Sequence, residues 1–259
     1  MNPPQSDYER LGWQVLGPIV TASQLDELRD GLSRFLGPDP DRNDYGILRN
    51  NIWTEVDAFG TLVRTGALAR AASLAGPTLR LFQDNLVYKP AGTMAPLCWH
   101  QDFSYWPLDR PSGCTLWLAL DDTTPENGCL HYLPGTHLLG ERQPAEFIQS
   151  SGQPGDESLP PLDWRHREAT AVAQPLKAGE ALIHHPLVWH MSPGNRSSVE
   201  RRGLSVTFLR PEVRWSPDHA PHPYNYHLHP TEGEPVTGEL FPLYDTTMRP
   251  TGDSTAFSE

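Results

Sequence analysis

The stretch Cys98-Trp99-His100-Gln101-Asp102-Phe103 organises the reading of this chain. A histidine and a carboxylate sit two residues apart inside an aromatic run of strand character. On a strand, side chains i and i+2 leave the same face roughly 6–7 Å apart, so the spacing predicts that His100 and Asp102 can hold one metal ion together. Two ligands are half a site, and the rest of the chain has to supply the other half.

Working outward, the apolar pattern around this stretch is that of short strands. They are expected over residues 81–89, 97–103, 114–120, 129–133, 181–185, 187–190 and 203–209, with 171–176 leading to Gly179-Glu180. Upstream, residues 12–16 read as a strand. Thr21-Ala22-Ser23-Gln24 then resembles a capping box that opens a helix, with Leu25, Leu28, Leu32 and Phe35 at helical spacing. A second helix is expected over 59–74, closed by Gly76-Pro77, and a polar loop over 39–44. Residues 139–163 form a long polar insert, a candidate lid or binding loop. From Pro211 the chain shows no period and reads as a wrapping segment. Helices first and many short strands afterwards predict a mainly β protein, a jelly roll with flanking N-terminal α-helices. The expected layout is one domain over 1–259, with a helical flank over 1–78, a core over 79–210 and the wrapping segment over 211–259.

Composition narrows the function. The 259 residues suffice for one large β domain, and 27 prolines with 21 glycines suit many turns. A formal net charge of -12 argues against a surface for nucleic acid or anionic lipid. Three cysteines, Cys98, Cys114 and Cys129, form no CxxC pair and predict reduced thiols. No stretch is apolar enough to span a membrane, and residues 1–10 carry no apolar targeting segment. The expectation is a cytoplasmic monomer or weak homodimer acting on a small molecule.

The third ligand must come from eleven histidines, of which His131, His137, His184, His185 and His190 lie in the β region. His190 is the strongest candidate. It ends the apolar run Leu187-Val188-Trp189 and opens the turn Met191-Ser192-Pro193-Gly194-Asn195, which places an imidazole at the mouth of a sheet. His184 and His185 read as core or supporting groups, and His137 as a cap on the loop after Pro134-Gly135. His166 and Glu168 share the two-residue spacing, but they sit among arginines and read as a solvated face. Two imidazoles and one carboxylate on one face, with the opposite face open, are the facial triad of non-haem Fe(II) oxygenases. Arg201 follows His190 by eleven residues, and its guanidinium suits the distal carboxylate of a dicarboxylic co-substrate. Strand alternation lets only one of Arg201 and Arg202 point inward.

With these residues in order, the chain resembles the phytanoyl-CoA dioxygenase family, Fe(II)- and 2-oxoglutarate-dependent oxygenases built on a double-stranded β-helix. The matching motifs are His100-Gln-Asp102, Trp117-Leu-Ala-Leu-Asp, Asn127-Gly128-Cys-Leu, Pro134-Gly135-Thr-His137, Gly179-Glu180, and His190-x-Ser192-x-x-Asn195-Arg-Ser followed by Arg201. The resemblance implies Fe(II) on His100, Asp102 and His190. It also implies 2-oxoglutarate on Arg201 and Ser192, with Trp117 and Asn85 lining its pocket, and O₂ as oxidant. Halogenating relatives carry a small residue in place of Asp102, so the retained carboxylate argues against halogenation. Phe103, Tyr105 and Trp106 follow the ligands directly and are expected to form a substrate wall. Cys98 is read as packing. The implied reaction oxidises an unactivated C–H bond, by default to an alcohol, and releases succinate and CO₂. Epimerisation, ring closure and desaturation are alternative outcomes. The rivals are a non-redox, metal-dependent cupin-like isomerase or lyase and a silent binding module. The acidic surface favours a free metabolite, as in a biosynthetic pathway, over a CoA thioester.

Overall fold

A computed structural model describes residues 5–37, 47–142 and 170–248. Its strands in chain order are β1 (Trp13–Pro18), β2 (Ile47–Asn50), β3 (Thr78–Lys89), β4 (Leu97–His100), β5 (Gly113–Ala119), β6 (Leu130–Tyr132), β7 (Val172–Gln174), β8 (Glu180–His184), β9 (His190–Ser192), β10 (Arg201–Leu209) and β11 (Leu243–Asp245). The helices are α1 (Asp7–Leu11), α2 (Ala22–Leu36), α3 (Asp57–Arg64), α4 (Ala67–Ala71) and α5 (Pro223–His227).

The strands form two antiparallel sheets that curl into the expected jelly roll. The large sheet runs β1-β8-β5-β10-β3-β11, with β2 also paired to β3, and the small sheet runs β4-β9-β6-β7. Strand alternation sorts the large sheet into two faces. Leu116 and Leu118 of β5, Leu204, Val206 and Phe208 of β10, and Leu86 and Tyr88 of β3 bury themselves outward. There they meet Leu25, Leu28 and Leu32 of α2 and Phe59, Leu62 and Val63 of α3. Each such side chain contributes about 1.5–3 kcal/mol on burial. The alternate residues, Thr115 and Trp117, Arg201 and Ser205, Gln83 and Asn85, face inward toward the small sheet and a cavity. Gly203 lies on the same inner face because a Cβ there would collide with the Trp117 ring.

The capping box at Thr21 forms as expected, with Thr21 Oγ1 accepting from Gln24 N and Gln24 Oε1 accepting from Thr21 N. Four local expectations differ. The helix expected over 59–74 breaks at Thr65-Gly66, where Gly66 adopts a left-handed φ of 69° and starts α4. The strand expected over 97–103 ends at His100, and Asp102 is already helical in backbone angles (φ -60°, ψ -43°). Residues 186–188 form a turn, so His190 opens a strand instead of closing one. The tail is more regular than a wrapping segment: it contributes α5 and the edge strand β11, whose Leu243–Asp245 pairs with Thr78–Arg80. Val213, Trp215, Tyr224 and Phe241 from that tail pack an aromatic cluster with Phe82 and Trp106. Phe82 reaches it because a register shift in β3 turns it inward beside Gln83. The polar loop over 39–44 and the insert from residue 143 onward lie outside the described residues. Among the described residues, no helix is long and apolar enough to cross a membrane.

Candidate active site

The pairing of β4 with β9 sets His100 directly opposite His190, with ring centroids 4.1 Å apart. Asp102 reaches the same point by a turn. Gln101 holds that turn: its Nε2 donates to Leu187 O (2.7 Å) and Gly140 O (3.1 Å), and its Oε1 accepts from Arg142 N (2.8 Å). The shared-face geometry expected for His100 and Asp102 is therefore replaced by a strand end and a turn, with the same convergence. One ligand atom from each of His100, Asp102 and His190 lies within 4.8 Å of the others.

The surroundings fix which atoms converge. His100 Nδ1 donates to Cys98 O (2.7 Å) and His190 Nδ1 to Val188 O (3.0 Å). A carbonyl oxygen only accepts, so Nδ1 carries the proton in each ring and Nε2 is the nitrogen left to bind a metal. These two nitrogens lie 3.5 and 3.4 Å from Asp102 Oδ1. Asp102 Oδ2 is held separately, accepting from Thr115 Oγ1 (2.7 Å) and His184 Nε2 (3.0 Å), while Tyr132 OH donates to His184 Nδ1 (2.9 Å). Burial works against the charge on Asp102, but the neighbouring His190 and the hydrogen bond from His184 Nε2 hold its carboxyl well below the usual carboxylate range. Burial, then the neighbouring His190, push His100 down and keep it neutral. Burial likewise pushes His184 down to about 4. Two bare nitrogens and one ionised oxygen aimed at a common point repel one another unless a cation lies between them. The donor set fits a divalent iron, which accepts imidazole and carboxylate together. Thr115, His184 and Tyr132 are the supporting partners that orient such ligands.

The three groups open into a cavity of about 330 Å³. At one end lies Arg201, completely buried. Its Nη2 donates to Ser192 Oγ (2.8 Å) and to Gly128 O, and its guanidinium lies 5.2 Å from the Trp117 ring centroid. Its Nε is buried without a hydrogen-bond partner. Among the described residues no carboxylate lies within 4 Å of it. Lys89 is its neighbour across the β3–β10 register, equally buried, with Nζ donating to Ser192 O (2.9 Å) and Pro193 O. Burial lowers both, Arg201 to about 10 and Lys89 well below its ordinary value. The buried Arg201 guanidinium, with no carboxylate within reach among the described residues, forms beside Lys89 a corner that an anion stabilises. That corner fits the distal carboxylate of 2-oxoglutarate. Arg202 takes the other face and pairs with Asp121 (2.9 Å).

Asn85, Trp117, Ser192, Tyr105 and Trp106 all line the cavity. Phe103 does not: it is buried against Trp106 and His219, and the expectation that it forms part of a substrate wall is corrected. The chain turns helical at Asp102, which sends the Phe103 side chain into the aromatic cluster. His137 bonds the Glu9 carbonyl through Nε2, and His185 packs against His137 and Tyr8. Both lie behind the site. His166 lies outside the described residues. Sequence reasoning did not assign roles to Lys89, Thr115 and Tyr132. Strand parity with Trp117 was the available signal for Thr115.

Comparison with known proteins agrees with this geometry. The family model described as phytanoyl-CoA dioxygenase (PhyH) matches residues 8–203. The L-proline trans-4-hydroxylase of Streptomyces griseoviridis is 30% identical over 233 residues, covering 78% of this chain and 84% of that one. The ectoine dioxygenase of Sphingopyxis alaskensis is 28% identical over 227 residues, covering 78% and 73%. In fold, the chain is similar to the epimerase SnoN, solved in complex with Fe3+, alpha ketoglutarate and nogalamycin RO, at a TM-score of 0.71 and 24% identity over 92% of this chain and 95% of that one. The chain belongs to the phytanoyl-CoA dioxygenase family of Fe(II)- and 2-oxoglutarate-dependent oxygenases.

Proposed function

We propose that the protein oxidises a C–H bond of a free small molecule, with hydroxylation as the outcome. His100, Asp102 and His190 would hold Fe(II), and Arg201 with Ser192 would hold the far carboxylate of 2-oxoglutarate. The observation that carries this reading is the pairing, in one cavity, of three converging ligand atoms with a buried guanidinium that has no carboxylate partner among the described residues. When bound, iron, 2-oxoglutarate and O₂ supply the oxidation, with succinate and CO₂ as by-products. The chain's own residues do the rest. Thr115 and His184 hold Asp102 Oδ2 so that Oδ1 stays free. The Cys98 and Val188 carbonyls fix the ring tautomers. Trp117 and Leu130 give the cavity a dry wall that limits water. Asn85 would line the co-substrate's pocket, with Tyr105 and Trp106 on the substrate side. The acidic composition and three free cysteines support a cytoplasmic monomer or weak homodimer that handles neither nucleic acid nor membrane.

The test is an anaerobic titration with Fe(II) and 2-oxoglutarate. A weak visible charge-transfer band is expected for the wild type and is lost in His100→Ala. A wild-type protein without the band sinks the proposal.

A further inference from the structure

Beyond the converging ligands, the cavity continues along the inner face of β3, where its wall is polar but uncharged. Asn50, Asn85 and Ser205 occupy one row across β2, β3 and β10, since Asn85 is in register with both of the others. Gln83 lies two residues further along β3. All four line the cavity. The side chains of Asn50, Asn85 and Ser205 make no hydrogen bond among the described residues.

Gln83 differs because its orientation is fixed. The backbone N–H of Tyr224 donates to His222 Nδ1 (3.1 Å), so that nitrogen is an acceptor. Burial pushes His222 down to about 4, so at neutral pH the ring carries its single proton on Nε2. His222 Nε2 lies 3.0 Å from a Gln83 terminal atom, which must therefore be the carbonyl oxygen. The Gln83 NH₂ group is left without a protein partner among the described residues. It is an aimed donor at the cavity wall, open to a ligand that carries an acceptor.

Register also gives its distance from the chemistry. Thr115, which holds Asp102, pairs with Thr207, and Thr207 pairs with Gln83. Gln83 thus lies two strand spacings from Thr115, about 10 Å. Arg201 lies six residues along β10 from Thr207, at the opposite end of the wall. A co-substrate held at Arg201 leaves Gln83 free.

We infer that Gln83, held by His222, donates a hydrogen bond to an oxygen of the substrate, and that the wall it forms with Asn50 and Ser205 selects a neutral, oxygen-bearing molecule over an amino acid or a CoA thioester. Gln83 is the specificity-determining residue and His222 is its positioning residue. This rests on the oxygenase reading above. Tyr105 and Trp106 supply the apolar side of the same chamber.

The test is succinate release, with product mass spectrometry, over three sets of probes: neutral lactones, ketones and glycosides; free amino acids; and acyl-CoA thioesters. Release above the probe-free level is expected from the neutral set alone. For the best neutral probe, Gln83→Ala should raise the probe's KM by about tenfold or more and leave the KM for the co-substrate unchanged. His222→Phe, which cannot donate to the Gln83 carbonyl, should raise the probe's KM by a smaller factor. Ser205→Ala, a minimal change, provides a second variant that retains the fold. Turnover of the charged sets only, no turnover of any set, or an unchanged probe KM in Gln83→Ala and Ser205→Ala overturns the inference. If the Fe(II)–2-oxoglutarate band forms in the wild type, such a failure belongs to this inference alone. If the band is absent, the oxygenase reading fails first.

Discussion

The two faces of β10 differ in what completes them. Leu204, Val206 and Phe208 point outward and find partners in the helices and neighbouring strands of the same chain. Arg201, Ser205 and Thr207 point inward, where, among the described residues, Arg201 Nε and the Ser205 hydroxyl have no hydrogen-bond partner. One face is finished by folding. The other keeps polar groups turned to the cavity, where a ligand can answer them. Alternation along one strand is enough to separate stability from chemistry, so the two can be broken independently.

The sharpest break is at the ligands. Asp102→Ala should reduce succinate release to background while leaving the thermal transition above room temperature, because it removes one of three iron ligands. Circular dichroism beside the activity assay checks both halves. On the outer face, Phe208→Ala should cost about 3–5 kcal/mol of stability by leaving a cavity under the helices, with turnover per folded molecule retained. Denaturant unfolding measures it, and an unchanged midpoint would remove the distinction between the faces.

Arg201→Gln should raise the KM for 2-oxoglutarate by about a hundredfold, about 2.7 kcal/mol, since the paired cation is lost while volume is roughly kept. A shift confined to kcat would contradict the carboxylate corner.

The outer face carries its own titratable group. Asp84 is buried there, and burial pushes its carboxyl up to about 7 although the Ile52 and Trp53 amides pull it down. An unfolded Asp titrates near 3.9, so the folded state binds the extra proton between about pH 4 and 7. Its contribution to stability is full below about pH 4 and is lost as pH rises through 7. Asp84→Asn should flatten that part of the stability curve while keeping the Ile52 contact, and urea midpoints at pH 5 and 8 test it. The smallest effect is expected from Thr115→Val, which removes one donor to Asp102 Oδ2. Fe(II) binding should weaken by about tenfold in Kd, read by anaerobic titration.

Much of the fold was legible because a period of two shows directly in the residues. Cys114 to Leu120 alternates outward aliphatics with Thr115 and Trp117, and β5 follows within one residue of expectation. The helix after Thr21 was equally plain, since its cap and its apolar stripe are both local. The breaks were not legible. Gly66 at a left-handed φ and the helical backbone at Asp102 depend on what packs beside them. Strand β11 was invisible because three residues carry no period, and only the open edge of β3 gives them a partner.

The sequence by itself determined the inventory: His100, Asp102, His190 and Arg201, in an order that resembles one family, on an alternating β pattern. Tertiary structure decided how that inventory meets. His100 and His190 converge through the pairing of β4 with β9, ninety residues apart, and Asp102 joins them through a turn held by Gln101. His184, Thr115 and Tyr132 became the supports of Asp102, and Gln83 became an aimed donor, only through cross-strand register and a hydrogen bond from the tail. Periodicity is a local property that a sequence displays, whereas the partner of a buried polar group is set by long-range pairing.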